Sequence, residues 1–151
     1  EMGLTITLRY FSVYGSRQRG DIDHAGVIAK FIDLSRKGKD LPIFGDGNQK
    51  RNFSYVEDVT EATILAASSE KLCGDIINIA SEKESSVLDI AKNIIYETSS
   101  DSEVIFKPPI SGDPYRNPAN IQKLKNVLNF SPQYSLGEGL RKTLSSFTIK
   151  T

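Results

Sequence analysis

Cysteine, histidine, long apolar runs and an excess of either charge are what this sequence has little of. Among its 151 residues, 19 Lys and Arg are balanced by 19 Asp and Glu. There is no basic block to track a phosphate backbone and no acidic tail, so nucleic acid is set aside as a partner. Cys73 is the one cysteine, which excludes an internal disulfide framework and paired thiols for zinc or redox work. His24 is the one histidine. A protein metal site or a Ser-His-Asp triad would hang on it alone, and its ordinary reading is a satisfied loop residue. No apolar run approaches the roughly 20 residues of a membrane helix, and no signal-peptide pattern opens the sequence. The expectation left is a cytoplasmic enzyme or binding domain with no membrane partner.

What is present suits a single folded unit. Hydrophobic residues make up 38% of the chain, enough for a core at this length. An alternating apolar run, LTITLRYF, begins within three residues of Glu1, where a frayed terminus is usual, so the sequence reads as cut from something longer. Leu4 to Tyr10 is rich in β-branched residues and predicts a strand. Val27, Ile28, Phe31, Ile32 and Leu34 recur at helical spacing up to Gly38, a C-cap. Leu41 to Phe44 predicts a short strand, Asp46-Gly47 a hairpin turn, and Gln49 to Val56 a second strand with Arg51, Phe53 and Tyr55 on one face. Glu57 and Asp58 favour a helix start, continued by Val59, Ala62 and Ala66. Asp75 to Ile79 and Val104 to Phe106 read as strands, the latter followed by a Pro- and Gly-containing loop from Lys107 to Pro118. Ser86 with Asp89 and Ser135 with Glu138 look like capping boxes, and Asn120 caps a further helix. The fold class is α/β, without internal repeat or linker.

The stretch FGDGNQKRNFSYVEDV, Phe44 to Val59, joins a tight turn, a basic run and alternate aromatics. Exposed backbone N–H groups, with Arg51 beside Phe53, suit a ligand that has an anion and a flat or cyclic part. The same pattern also describes a surface hairpin whose arginine makes a rim salt bridge and whose aromatics belong to the core. Both readings stand on the pattern alone.

LRYFSVYGSRQ (8–18), GVIAKFI (26–32), LPIFGDGNQKRNFSYVEDV (41–59), IINIAS (76–81), SGDPYR (111–116) and SLGEGLRKT (135–143) occur in that order. The series resembles the C-terminal half of the NAD-dependent nucleotide-sugar epimerases and dehydratases, extended short-chain dehydrogenase/reductases, most of all the UDP-glucose 4-epimerase branch. The resemblance implies the last strands of a Rossmann-like NAD-binding sheet plus a small substrate-binding subdomain, spanning 1–151 as one portion. It implies that Arg51 grips the diphosphate of a nucleotide sugar, a UDP-hexose, with Phe53 beside it. Gly26, Val27 and Pro42 to Phe44 would enclose base and ribose. Tyr10 and Phe11 match residues where the nicotinamide end of NAD meets the sugar, and Asp113 matches a ribose- or phosphate-side loop residue. In the intact family enzyme UDP-hexoses interconvert through a transient 4-keto sugar, with NAD as cofactor and a homodimer as the assembly.

The sequence also departs from the family pattern. Ser12 stands where an Asn contacts the diphosphate, and Ile110 where a second phosphate-binding Arg is common, with Arg116 six residues on as a substitute cation. Asn52, Ala29 and Asn120 replace the usual Asp, Pro and Asp. No Gly-rich strand-to-helix turn for the NAD pyrophosphate is present. None of the tyrosines at 10, 14, 55, 96, 115 and 134 has a lysine four residues later, so the catalytic Tyr-x-x-x-Lys pair is absent and no residue here is assigned a catalytic role. The chain alone is expected to bind rather than transfer hydride. The alternative is a non-catalytic nucleotide-sugar-binding module that pairs with another chain, and either reading expects the isolated chain to self-associate through open sheet edges.

Overall fold

In the computed structural model, residues 5–69 and 72–147 are described. Four small sheets, mostly of parallel strands, are interleaved with five helices. The elements run β1 (Thr7–Tyr10), β2 (Val13–Tyr14), α1 (Val27–Arg36), β3 (Leu41–Phe44), β4 (Lys50–Arg51), β5 (Ser54–Tyr55), α2 (Val56–Ala67) and β6 (Ile76–Ile79). They continue with β7 (Ser85–Ser86), α3 (Val87–Thr98), β8 (Val104–Lys107), β9 (Arg116–Asn117), α4 (Gln122–Leu128) and α5 (Leu136–Phe147). The Leu4 end of the first predicted strand lies outside the described residues.

Strand β1 pairs parallel with β6, β2 with β5, and β3 with β8. Strand β4 lies between β7, antiparallel, and β9, parallel. Long crossovers join the parallel partners, as that geometry requires.

Here the sequence expectation is corrected. Asp46-Gly47 is a turn but not a hairpin turn, because β3 runs beside β8 rather than folding back on the residues that follow it. Gln49 to Val56 is not one strand either. Two short strands replace it, separated at Asn52-Phe53, and α2 starts at Val56. The turn itself has clear causes. Asn48 donates its backbone N–H to Asp46 Oδ1 at 2.9 Å. Gly47 has φ +80°, and a Cβ added there would lie only 3.0 Å from Leu88 Cβ, a conformation and a clearance that favour glycine.

Helix starts follow the expected chemistry. Ser86 Oγ accepts the Asp89 N–H at 3.0 Å. Ser135 Oγ accepts the Glu138 N–H at 3.3 Å while Glu138 Oε2 accepts the Ser135 N–H at 2.9 Å, a reciprocal capping box. Asn120 Oδ1 accepts the Gln122 N–H at 2.9 Å. Asn52, which stands where the family has Asp, is a buried clamp: it donates to Ser81 O and accepts from Ala119 N–H, both at 2.9 Å. Asp58, also buried, accepts the backbone N–H groups of Gln133 and Tyr134 and so ties α2 to the entry of α5; burial pushes its carboxyl above the usual range.

Two apolar clusters form the interior. One gathers Ile28, Phe31 and Ile32 of α1, Leu41 and Ile43 of β3, Ile90, Ala91 and Ile94 of α3, and Leu140 of α5. The other gathers Val59, Ala62 and Ala66 of α2, Ile77 and Ile79 of β6, and Leu124 and Phe130 around α4. No helix among the described residues is long and apolar enough to cross a membrane.

Candidate binding cavity

A cavity of ≈ 300 Å³ opens on the first cluster. Its walls come from separate elements: Ser12 between β1 and β2, Gly26 and Val27 at the start of α1, Pro42 and Phe44 of β3, Arg51 of β4, Phe53 after it, and Ile110 and Asp113 of the loop before β9. Eight of the nine substrate-side residues expected from sequence, Ser12, Gly26, Val27, Pro42, Phe44, Arg51, Phe53 and Asp113, thus line one space. Alternation explains part of this. Pro42 and Phe44 share one face of β3 while Leu41 and Ile43 are buried.

Arg116 is the exception. Its guanidinium is paired with Glu84, Nε to Oε1 at 3.0 Å and to Oε2 at 2.9 Å, and it does not line the cavity, so it does not replace the cation absent at Ile110. Tyr10 and Phe11 lie apart as well. Tyr10 is half exposed, with its hydroxyl 3.0 Å from Thr63 Oγ1.

The cavity has one cation, and that cation is held. Arg51 Nη2 donates to Asp113 Oδ1 at 2.7 Å and Nη1 donates to Lys50 O at 2.8 Å. The side chain is only 16% exposed, whereas Phe53 is buried against the core. The arginine therefore makes an ion pair with Asp113 and also faces a partly apolar cavity.

Sequence reasoning passed over several lining residues. Gln49 donates to Phe44 O at 2.8 Å and so fixes the backbone where β3 ends. Gln18, Tyr14, Phe31 and Val87 also contribute. The polar signal for the two glutamines was present in GSRQ and GDGNQ, each behind a turn.

Chemically the cavity is built to bind. Tyr14 donates to Leu136 O at 3.3 Å, and burial, with Tyr55 and Asp58 nearby, pushes its phenol well above the ordinary range. It stays a neutral donor and is no base at neutral pH. Among the described residues no group of three or more His, Cys, Asp or Glu could hold a metal ion.

Residues 4–80 match the profile of the NAD dependent epimerase/dehydratase family. The chain belongs to that family. It is 42% identical to a UDP-N-acetyl-alpha-D-glucosaminuronate decarboxylase of Bacillus cytotoxicus, over 96% of this chain and 47% of that protein. Its fold superposes with TM-score 0.88 on a UDP-glucose 4-epimerase of Thermotoga maritima solved with UDP-glucose, at 35% identity over 95% of this chain and 45% of that one. A UDP-glucuronic acid 4-epimerase of Bacillus cereus, solved with UDP-glucuronic acid and NAD, gives TM-score 0.85 at 33% identity over 95% and 45%. The chain spans about half the length of the relatives it matches. The fold is Rossmann-like α/β, and relatives sharing it bind NAD.

A dinucleotide does not fit the described residues. Its pyrophosphate needs backbone N–H groups at a tight Gly-rich turn from strand to helix. Gly45 and Gly47 lie between β3 and β4, and Gly137 and Gly139 lie inside α5, where Gly139 leaves room for the Tyr14 ring. The glycines between β2 and α1 are spread along a long loop.

Proposed function

We propose that this chain is the nucleotide-sugar-binding portion of an NAD-dependent enzyme acting on UDP-sugars. The observation that carries the reading is a cation and an aromatic slot in one cavity of ≈ 300 Å³. Arg51 is placed to take a diphosphate, with a guanidinium fork that matches phosphate oxygens. Phe44 and Val27 form the apolar side for a flat base, and Phe53 lines the same space. Relatives that bind UDP-glucose and UDP-glucuronic acid support uridine as the nucleoside. Relatives that include both a decarboxylase and 4-epimerases leave the intact enzyme's reaction at the level of UDP-sugar conversion, with epimerisation of UDP-hexoses as the specific reading. NAD, catalytic groups and homodimer contacts would then belong to the rest of the enzyme.

A second reading, a binding module completed by another chain, is favoured by the outer face of the β1–β6 pair, where Ile76 is about half exposed. Both readings need the same ligand in the same cavity. Calorimetric titration of the 151-residue chain with UDP tests it. Arg51→Ala is expected to weaken UDP by about ten- to a hundredfold, the loss of one charge-assisted contact. Absence of UDP binding, or equal binding by Arg51→Ala, contradicts the assignment.

A further inference from the structure

The cation of the cavity has a competitor built into the chain. Arg51 Nη2 donates to Asp113 Oδ1 at 2.7 Å, so a carboxylate already takes a guanidinium donor that a phosphate would use. Two anions on one donor repel each other. The partners differ in how firmly they are placed. Arg51 is 16% exposed and anchored through Nη1 on the Lys50 carbonyl, whereas the Asp113 side chain is 41% exposed and can carry its charge into water. Asp113 is the member able to leave.

Asp113 sits near the tip of a loop that runs from Pro108 to Tyr115. The ends of the loop are fastened, Lys107 by its pairing with Phe44 and Arg116 by its pairing with Lys50. Every residue between them is exposed. At the tip the Asp113 N–H donates to Ile110 O at 3.3 Å, and Gly112 has φ +82° with no atom within 4 Å of the place a Cβ would take. Tyr115 adds a longer tie, its hydroxyl 3.4 Å from Asp46 Oδ2. A loop so exposed between fixed ends opens at low cost.

Ile110 and Asp113 line a second, adjoining hollow of ≈ 240 Å³, which shares Phe44 and Gln49 with the cavity. The cavity alone, ≈ 300 Å³, stands at the lower end of the range for small-molecule sites, about 300–1,000 Å³. A nucleoside diphosphate carrying a sugar is a large ligand for it. Resting on the reading that Arg51 takes the diphosphate, we infer that the loop Pro108–Tyr115 is a latch: Asp113 and the phosphate compete for Arg51, and a phosphate that wins releases the tip and joins the cavity to the adjoining hollow. The apparent affinity is then the intrinsic one lowered by the closed fraction.

Inorganic pyrophosphate and UDP are titrated calorimetrically, at fixed ionic strength, into the 151-residue chain and into Asp113→Asn, which keeps the shape of an exposed side chain and removes its charge. Pyrophosphate has no ribose or base for Asp113 to touch. It is expected to bind Asp113→Asn about threefold or more tightly than the unaltered chain, an exposed ion-pair competitor being lost. Binding to the variant alone supports the latch as well. Equal or weaker pyrophosphate binding by Asp113→Asn overturns it, and UDP binding kept by the unaltered chain would then leave the nucleotide-sugar reading standing. UDP binding with no pyrophosphate bound by either protein also overturns it, since no anion then contests Arg51. Failure of both ligands on both proteins removes the nucleotide-sugar reading and the latch together. A second readout follows the loop itself. Amide shifts of Ile110, Ser111, Gly112 and Tyr115 should move when pyrophosphate saturates the labelled unaltered chain, and should move the same way in Asp113→Asn without ligand. Loop amides that stay still while the Arg51 amide responds contradict the latch.

Discussion

The core around α1, β3, α3 and α5 is packed around an opening, whereas the core around β1, β6, α2 and α4 puts none of its buried residues in that cavity's wall. In the first, Phe31, Ile43, Phe53 and Val87 serve both as interior and as cavity wall. In the second, Ala62, Ile77 and Leu124 are fully buried, yet Tyr10, Ile64, Leu65 and Ile76 remain exposed on the neighbouring strands and helix. The proposed function gives the first region a ligand in an interior space, and the second reading gives the second region a protein partner on Ile76's face. Ligand affinity and folding stability should therefore respond to different residues.

The largest effect separates them on the stability side. Leu124→Ala empties a fully buried site in the closed core and is expected to cost about 2–5 kcal/mol in chemical denaturation. UDP affinity of the folded fraction should stay unchanged. A parallel loss of affinity would mean that the two cores are not independent.

The exposed face gives the next effect. Sedimentation of the chain should show concentration-dependent self-association, and Ile76→Lys, which places a charge on the β1–β6 face, should reduce it. A monodisperse monomer with flat concentration dependence would break this half of the comparison.

How much of this was legible in the sequence depends on the range of the forces involved. The caps at Ser86 and Ser135 and the apolar stripe of α1 are local, set within a few residues, and they stand where the pattern put them. The pairing of β3 is not local: its partner β8 arrives some sixty residues later, and Asp46-Gly47 gives the same turn signal whatever the chain does next. Arg116 shows the corresponding difficulty for the site. A free cation and one paired with Glu84 look alike in sequence, because the partner lies 32 residues away.

Smaller effects sharpen the site. Arg116→Ala should change UDP affinity by no more than about twofold, since its partner is Glu84 and not the cavity. A tenfold loss would put Arg116 back in the site. The smallest concerns acid stability. Hydrogen bonds from Tyr134 and Lys142 hold the Glu57 carboxyl below the usual glutamate range. Its contribution is present above the unfolded value of about 4.3 and is lost as pH falls through the lowered folded value. Glu57→Gln should therefore make unfolding slightly less pH-dependent on the acid side, read from thermal melts at a series of pH values, and leave UDP binding unaffected.

The most direct measurement maps UDP on the isotopically labelled chain by amide chemical shifts. The account predicts that the changes gather at Gly26, Val27, Phe44, Arg51 and Asp113, while β1, β6 and α4 stay still. Changes gathered on the β1–β6 face, or none at saturating UDP, would contradict the claim that this cavity is where the chain holds a nucleotide sugar.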